Sequence, residues 1–295
     1  MDVTEGNEMQ TIATRDAIRW YHHALALPLK GLSALNLGPL GGENSISVII
    51  EAILQAQRGE TVDFPLSKTE QFFVRMLTGP NAPNPAPLLA YRQFNHRAQQ
   101  EVLNRRGDHR LGVIWLGGGV FTLEHPLLQF ARPDDWQIWT DANPKVVRTA
   151  QALFDEMQRR MNGQAQVQSL ILPQDVAQLN EHIRFLAAQG VQEIVLQAFG
   201  MFYVLTGAEN AAWLRQLERP KGVTLRLIVD AMSRTVDLMP AVMIAFHNQR
   251  MVYYERADIE ALLRQTQPDG QIVWELPRSE QTYGQAVWLL ELPPT

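Results

Sequence analysis

The sequence predicts an α/β fold built on a doubly wound, seven-stranded sheet that ends in an antiparallel hairpin and is covered at its N-terminal end by a helical cap. Three observations point there. From Gly112 onward, short apolar runs alternate with stretches of helical periodicity, as a mostly parallel sheet between helices requires. The run Val113-Ile114-Trp115-Leu116 is apolar throughout, which marks a strand buried on both faces, and it stops at Gly117-Gly118-Gly119. At the end of the chain, 271–276 and 285–292 have the pattern of two strands. The link between them is too short for a crossover helix, so they should pair antiparallel.

Taken in order, residues 1–110 form the expected cap and 111–295 the sheet domain. In the first region apolar residues recur at helical spacing over 11–27 and 45–57, with Ser45 placed to cap the second helix, and again over 67–76 and 88–106. The stretch 79–87 carries too many prolines for regular structure and has the composition of a lid or a boundary. Strand 113–116 follows, then strand 136–139. Pro144 stands where a first helical turn tolerates it, ahead of an apolar stripe through Val146, Val147, Ala150, Leu153 and Met157. Further strands are expected at 167–172, 193–198 and 223–229. Helices are expected up to Gln189 with a stop at Gly190, over 207–217 and 237–250, and from a cap at Asp258 through 263.

Composition narrows the function. The chain has 295 residues, 46% hydrophobic and 19% charged, which is ample for a large core. A net charge of −5 without a basic block gives nucleic acid no phosphate-binding stripe. There is no cysteine, so thiolate nucleophiles, disulfides and zinc-thiolate centres are excluded. No His-x-x-x-His or carboxylate cluster sits at a strand end, so no metal is expected. The first residues, MDVTEGNEMQ, lack a basic start and an apolar core, and no stretch reaches the length of a membrane span. A soluble, cytoplasmic protein is the expectation; oligomeric state is left open.

The chemistry is expected at the carboxyl edge of the first two strands. Gly117 and Gly119 let a ligand approach the backbone, and strand 136–139 ends in Thr140-Asp141, where a carboxylate in a doubly wound, Rossmann-like sheet receives ribose hydroxyls. The same Gly-x-Gly and acid serve either a dinucleotide or another nucleoside cofactor. The terminal hairpin separates the two, because a dinucleotide-binding sheet usually finishes in parallel.

With these residues in view, the chain resembles the class I S-adenosylmethionine-dependent methyltransferases, and more narrowly the leucine carboxyl methyltransferase family of O-methyltransferases. Three segments carry the likeness: Tyr91-Arg92-Gln93-Phe94-Asn95-His96-Arg97, the turn Trp115-Leu116-Gly117-Gly118-Gly119, and Val195-Leu196-Gln197-Ala198-Phe199-Gly200-Met201-Phe202-Tyr203-Val204-Leu205. Leu123 and Gln197 stand where that family carries an arginine and an acid.

The resemblance implies S-adenosyl-L-methionine as cofactor and a small-molecule or carboxyl-bearing substrate. It assigns Arg92 to the methionyl carboxylate, Gly117 and Gly119 to the close backbone approach, Asp141 to the ribose, Asp175 to the adenine and Gln197 to the methionyl amine or a substrate. A guanidinium suits a carboxylate because its two parallel donors match the two oxygens. A carboxylate acceptor needs no base; for a hydroxyl, Tyr203, His125 and His247 are the candidate bases. Two rivals remain at this point: an NAD(P)-dependent oxidoreductase, and a methyltransferase-fold binding protein without activity.

Overall fold

A computed structural model describes residues 86–117, 125–141, 166–170, 176–232, 252–281 and 285–295, with isolated helical positions at 24, 27, 52, 53, 55, 56, 68, 71, 74, 75, 78, 147, 151 and 155. The rest of the expected cap, the loop 79–85, most of the helix after Pro144 and the helix over 237–250 lie outside these residues.

The helices are α1 Ala86–Arg105, α2 Pro126–Gln129, α3 Val176–Ala188, α4 Gly207–Gln216 and α5 Arg256–Thr266; the strands are β1 Leu111–Trp115, β2 Trp136–Thr140, β3 Gln166–Leu170, β4 Glu193–Gln197, β5 Thr224–Met232, β6 Gln271–Glu275 and β7 Gln285–Leu292. They form one mixed sheet in the order β3-β2-β1-β4-β5-β7-β6. The first five strands are parallel, whereas β7 lies antiparallel to both β5 and β6. The chain winds outward from β1 to β3, then returns to the other side of β1 with β4. This places a topological switch point at the carboxyl ends of β1 and β4, where a doubly wound sheet leaves a crevice.

Alternation along the strands divides the core in two. Ile114, Ile138, Leu196 and Leu227 point to one face, where α3, α4 and α5 supply Leu179, Ile183, Leu214, Ile259 and Leu262. Val113, Trp115, Trp139, Val195, Ile228 and Leu289 point to the other, against Phe94, Ala98 and Val102 of α1. Helix α1 is therefore part of the sheet's covering layer.

Sequence choices inside the elements explain this packing. Gly112 is on β1 because a Cβ there would stand 2.8 Å from Leu186 Cδ1 and 3.2 Å from Val191 Cγ1, so α3 can lie close only over a bare backbone. Helix α4 starts in a reciprocal capping box, in which Glu209 N–H donates to Thr206 Oγ1 at 3.2 Å and Thr206 N–H donates to Glu209 Oε2 at 2.7 Å. Helix α5 begins earlier than the sequence suggests. Asp258 is at its third position, accepting the N–H of Glu255 at 2.9 Å, so the helix extends a turn before the residue expected to cap it.

Beneath the sheet, Arg106 at the end of α1 is buried against Asp135, whose oxygens also accept Leu111 N–H at 3.0 Å and Arg132 N–H at 2.7 Å. This fixes the departure of α1 relative to β1 and β2. A second buried cluster joins Glu193 of β4 to Arg226 of β5, which also reaches Glu291 of β7 at 2.9 Å. Both clusters belong to the amino edge, away from the switch point.

Candidate functional site

The switch point is assembled from four segments. Strand β1 ends at Trp115, followed by Leu116, whose N–H donates to the carbonyl of Gln197 at 3.0 Å. Gly117 comes next with φ +55°, a left-handed conformation that glycine adopts without steric cost, and a Cβ there would meet nothing within 4 Å. On one side, β2 is tied to the end of β1 by Thr140 Oγ1, which donates to Trp115 O at 2.7 Å, and the buried Asp141 follows directly. On the other side β4 ends in Gln197, which is 4% exposed. Gln197 and Asp141 thus flank Gly117 from the two neighbouring strands.

Helix α1 crosses this edge and brings polar residues at helical spacing. Gln197 Nε2 donates to Asn95 Oδ1 in a very short contact. One turn along, Gln99 Nε2 reaches Asn95 Oδ1 at 3.2 Å and His125 Nδ1 at 3.1 Å, while Gln99 Oε1 accepts Leu127 N–H at 3.4 Å. His125 is half-buried between two rings, Trp115 and His96, each with its centroid 5.1 Å away. Arg92 Nε lies 3.5 Å from His96 Nε2. Burial, and then the nearby His96 and Arg92, push the His125 imidazole well below its usual pKa, so it is neutral at physiological pH. Gln197 Oε1 is a buried acceptor with no hydrogen-bond partner.

Of the residues singled out from the sequence, Arg92, Gly117, His125, Asp141 and Gln197 come to this one edge. Tyr203 is buried in the single 3-10 turn Phe202–Val204 that follows β4, where its carbonyl accepts Val252 N–H at 2.7 Å. Gly119, Asp175 and His247 lie outside the described residues. No group of three or more potential metal ligands occurs among the described residues. No helix among them is long and apolar enough to cross a membrane.

The sequence did not single out Asn95, Gln99 or Asp230. The first two were detectable only as an i, i+4 pair of amides on a helix whose other inward positions are apolar. Asp230 extends β5 beyond the strand end expected at Val229. It is fully buried, accepting Gly200 N–H at Oδ1 (2.7 Å) and Gln285 Nε2 at Oδ2 (3.1 Å). Burial raises its carboxyl pKa to about 7, against the smaller opposing effect of those bonds.

The chain superposes on a Thermobifida fusca protein whose methyltransferase assignment is inferential, with a TM-score of 0.55, 13% identity and coverage of 85% of this chain and 96% of that one. A DUF574 family protein from Streptomyces avermitilis aligns with a TM-score of 0.54, 13% identity and coverage of 86% and 99%. The chain has the class I methyltransferase fold. No protein-family model and no curated protein matches the sequence. Magnesium protoporphyrin IX methyltransferase from Synechocystis, solved with bound SAH, aligns at 18% identity with a TM-score of 0.47 over 77% of this chain and 95% of that one.

Proposed function

We propose that this protein is an S-adenosylmethionine-dependent O-methyltransferase, akin to the leucine carboxyl methyltransferases, that acts on a carboxylate of a small molecule. The observation that carries this reading is the meeting of Gly117, Asp141 and Gln197 at the switch point of a sheet ordered 3-2-1-4-5-7-6. The residues fit the cofactor. Asp141 follows β2, where ribose hydroxyls find a carboxylate, and Gly117 leaves open space for a nucleoside to lie against the backbone. Gln197 Oε1 is an acceptor in want of a donor, which an ammonium provides. Arg92, half-buried on the same helix as Asn95, would take the methionyl carboxylate. Asp175 and Gly119 keep the adenine and backbone-approach roles that the family resemblance gives them.

When bound, S-adenosylmethionine supplies a methyl group already electrophilic on a sulfonium. The protein's part is to align the acceptor, exclude water and manage any proton. His125, Tyr203 and His247 were the candidate bases. His125 is a poor one, because its Nδ1 is occupied by Gln99 and its basicity is depressed. A carboxylate is nucleophilic without deprotonation, which makes it the acceptor best matched to this edge.

Isothermal titration with S-adenosylmethionine, S-adenosylhomocysteine and NAD(H) tests the reading. The first two are expected to bind, and Asp141→Ala is expected to weaken them by about 1–3 kcal/mol, the cost of losing charge-assisted hydrogen bonds. Binding of NAD(H) alone would replace the reading with an oxidoreductase. Failure of all three would replace it with a binding protein that has lost the cofactor.

A further inference from the structure

The polar chain along α1 has a direction, and one backbone group sets it. Leu127 N–H donates to Gln99 Oε1, so the other end of that amide, Nε2, is the end facing Asn95 and His125. An amide nitrogen only donates, and it has two protons. Both are used, one on Asn95 Oδ1 and one on His125 Nδ1. A neutral imidazole has a single proton, so with Nδ1 accepting, that proton is on Nε2. No other hydrogen bond of the His125 ring occurs among the described residues, which leaves Nε2–H available as a donor. The second consequence runs the other way. Because Asn95 presents its oxygen, Gln197 must offer Nε2 to it, and Gln197 Oε1 is turned away as a buried acceptor without a partner.

We propose that Gln99 is a positioning residue that, through Asn95, sets the hydrogen-bonding sign of the site at both ends: a bare acceptor at Gln197 and a bare donor at His125. The matching ligand group carries a donor and an acceptor together, as an ammonium and a carboxylate do in an α-amino acid. The ligand's identity rests on the methyltransferase reading, since the methionyl end of the cofactor is such a group; the tautomer does not. Three buried amides in series cost more than apolar packing would, and the chain still leaves one acceptor unsatisfied. A ligand donor at Gln197 Oε1 completes it.

Two-bond nitrogen–proton correlation spectra of the ligand-free protein report the tautomer directly. The Nε2–H form of His125 is expected near neutral pH, and an Nδ1–H form would overturn the proposal. In Gln99→Glu a carboxylate can only accept, so His125 must donate from Nδ1 and the amides of Asn95 and Gln197 must turn over. The spectrum should change to the Nδ1–H or imidazolium form.

Binding reads the other end, by comparing S-adenosylhomocysteine with 5′-methylthioadenosine, the same nucleoside without the amino-acid group. The wild-type preference for the former should fall by at least about tenfold in Gln99→Glu, as expected for the loss of one charge-assisted contact, with 5′-methylthioadenosine little affected. An unchanged preference would overturn the proposal. Should that variant not fold, Gln99→Met, equally long and without amide groups, is expected to show both tautomers and the same loss of preference. If the wild type binds neither nucleoside, the methyltransferase reading and the amino-acid assignment both fall, while the spectra still decide whether Gln99 sets the tautomer.

Discussion

Asp230 gives the clearest handle on the energetics of the carboxyl edge. Its carboxyl is fully buried, and burial raises its pKa from 3.8 to about 7 although two donors face it. Between those two values the folded state binds a proton that the unfolded state releases. Its contribution to stability is therefore complete below about pH 4 and is lost as pH rises through 7. At about 1.36 kcal/mol per pH unit, the whole loss is about 4 kcal/mol, of which about 3 kcal/mol falls between pH 5 and pH 8. Asp230→Asn removes the titration and keeps the shape: its oxygen accepts Gly200 N–H, and Gln285 turns its own oxygen toward the new amide. Urea unfolding of both proteins at pH 5, 6, 7 and 8 is the assay. The stability of wild type relative to variant should fall by about 3 kcal/mol across that range, most steeply between pH 5 and pH 6 and levelling off above pH 7. The difference matters more than either curve, because His125 and His182, both shifted downward chiefly by burial, give a dependence of opposite sign that is common to the two proteins. Parallel curves for the two proteins would refute the reasoning.

Two further outcomes concern packing beneath the site. Asp135→Ala should cost about 3–5 kcal/mol in urea unfolding, because it leaves the Arg106 guanidinium buried and unpaired; removing both partners, as Arg106→Leu with Asp135→Leu, should recover part of that loss. Gly112→Ala should cost about 1–3 kcal/mol, since the new methyl stands 2.8 Å from Leu186 Cδ1, and Leu186→Val in the same chain should restore some of it.

The strands of the second half were legible because each is a short apolar run closed by a glycine, an acid or a proline. The pairing of the last two followed from a connection too short for a helix. The strand ends were less legible where a polar residue interrupted the run. Asp230 looked like a stop, yet β5 continues to Met232 because β7 lies beside it, pairing Asp230 with Val287 and Met232 with Gln285. The place of Asp141 at the sheet edge was legible because it closes an apolar run, whereas Gln197 was singled out through the family resemblance of the β4 segment. Asn95 and Gln99 were not, because what makes them part of the edge is the line α1 takes over β4, a contact between residues a hundred positions apart. The candidate base His125 carried no sign of its tautomer, which depends on Gln99 and on a backbone N–H at Leu127.

The amide at position 197 also makes sense beside Asp230. On β4 and β5, Gln197 pairs with Ile228, so Asp230 is the next residue of β5 on the same sheet face. An acid at 197 would put two carboxyls on adjacent strands of one water-poor face. Like charges so placed cannot both ionise, and one would hold its proton. A protonated acid donates as well as accepts, and its sign toward Asn95 and the ligand would then change with pH. Gln197 cannot titrate. Its oxygen remains an acceptor at every pH, and the charge required to hold a cationic ligand group is left to the dipole of a chain anchored at Leu127 rather than to a second buried carboxylate.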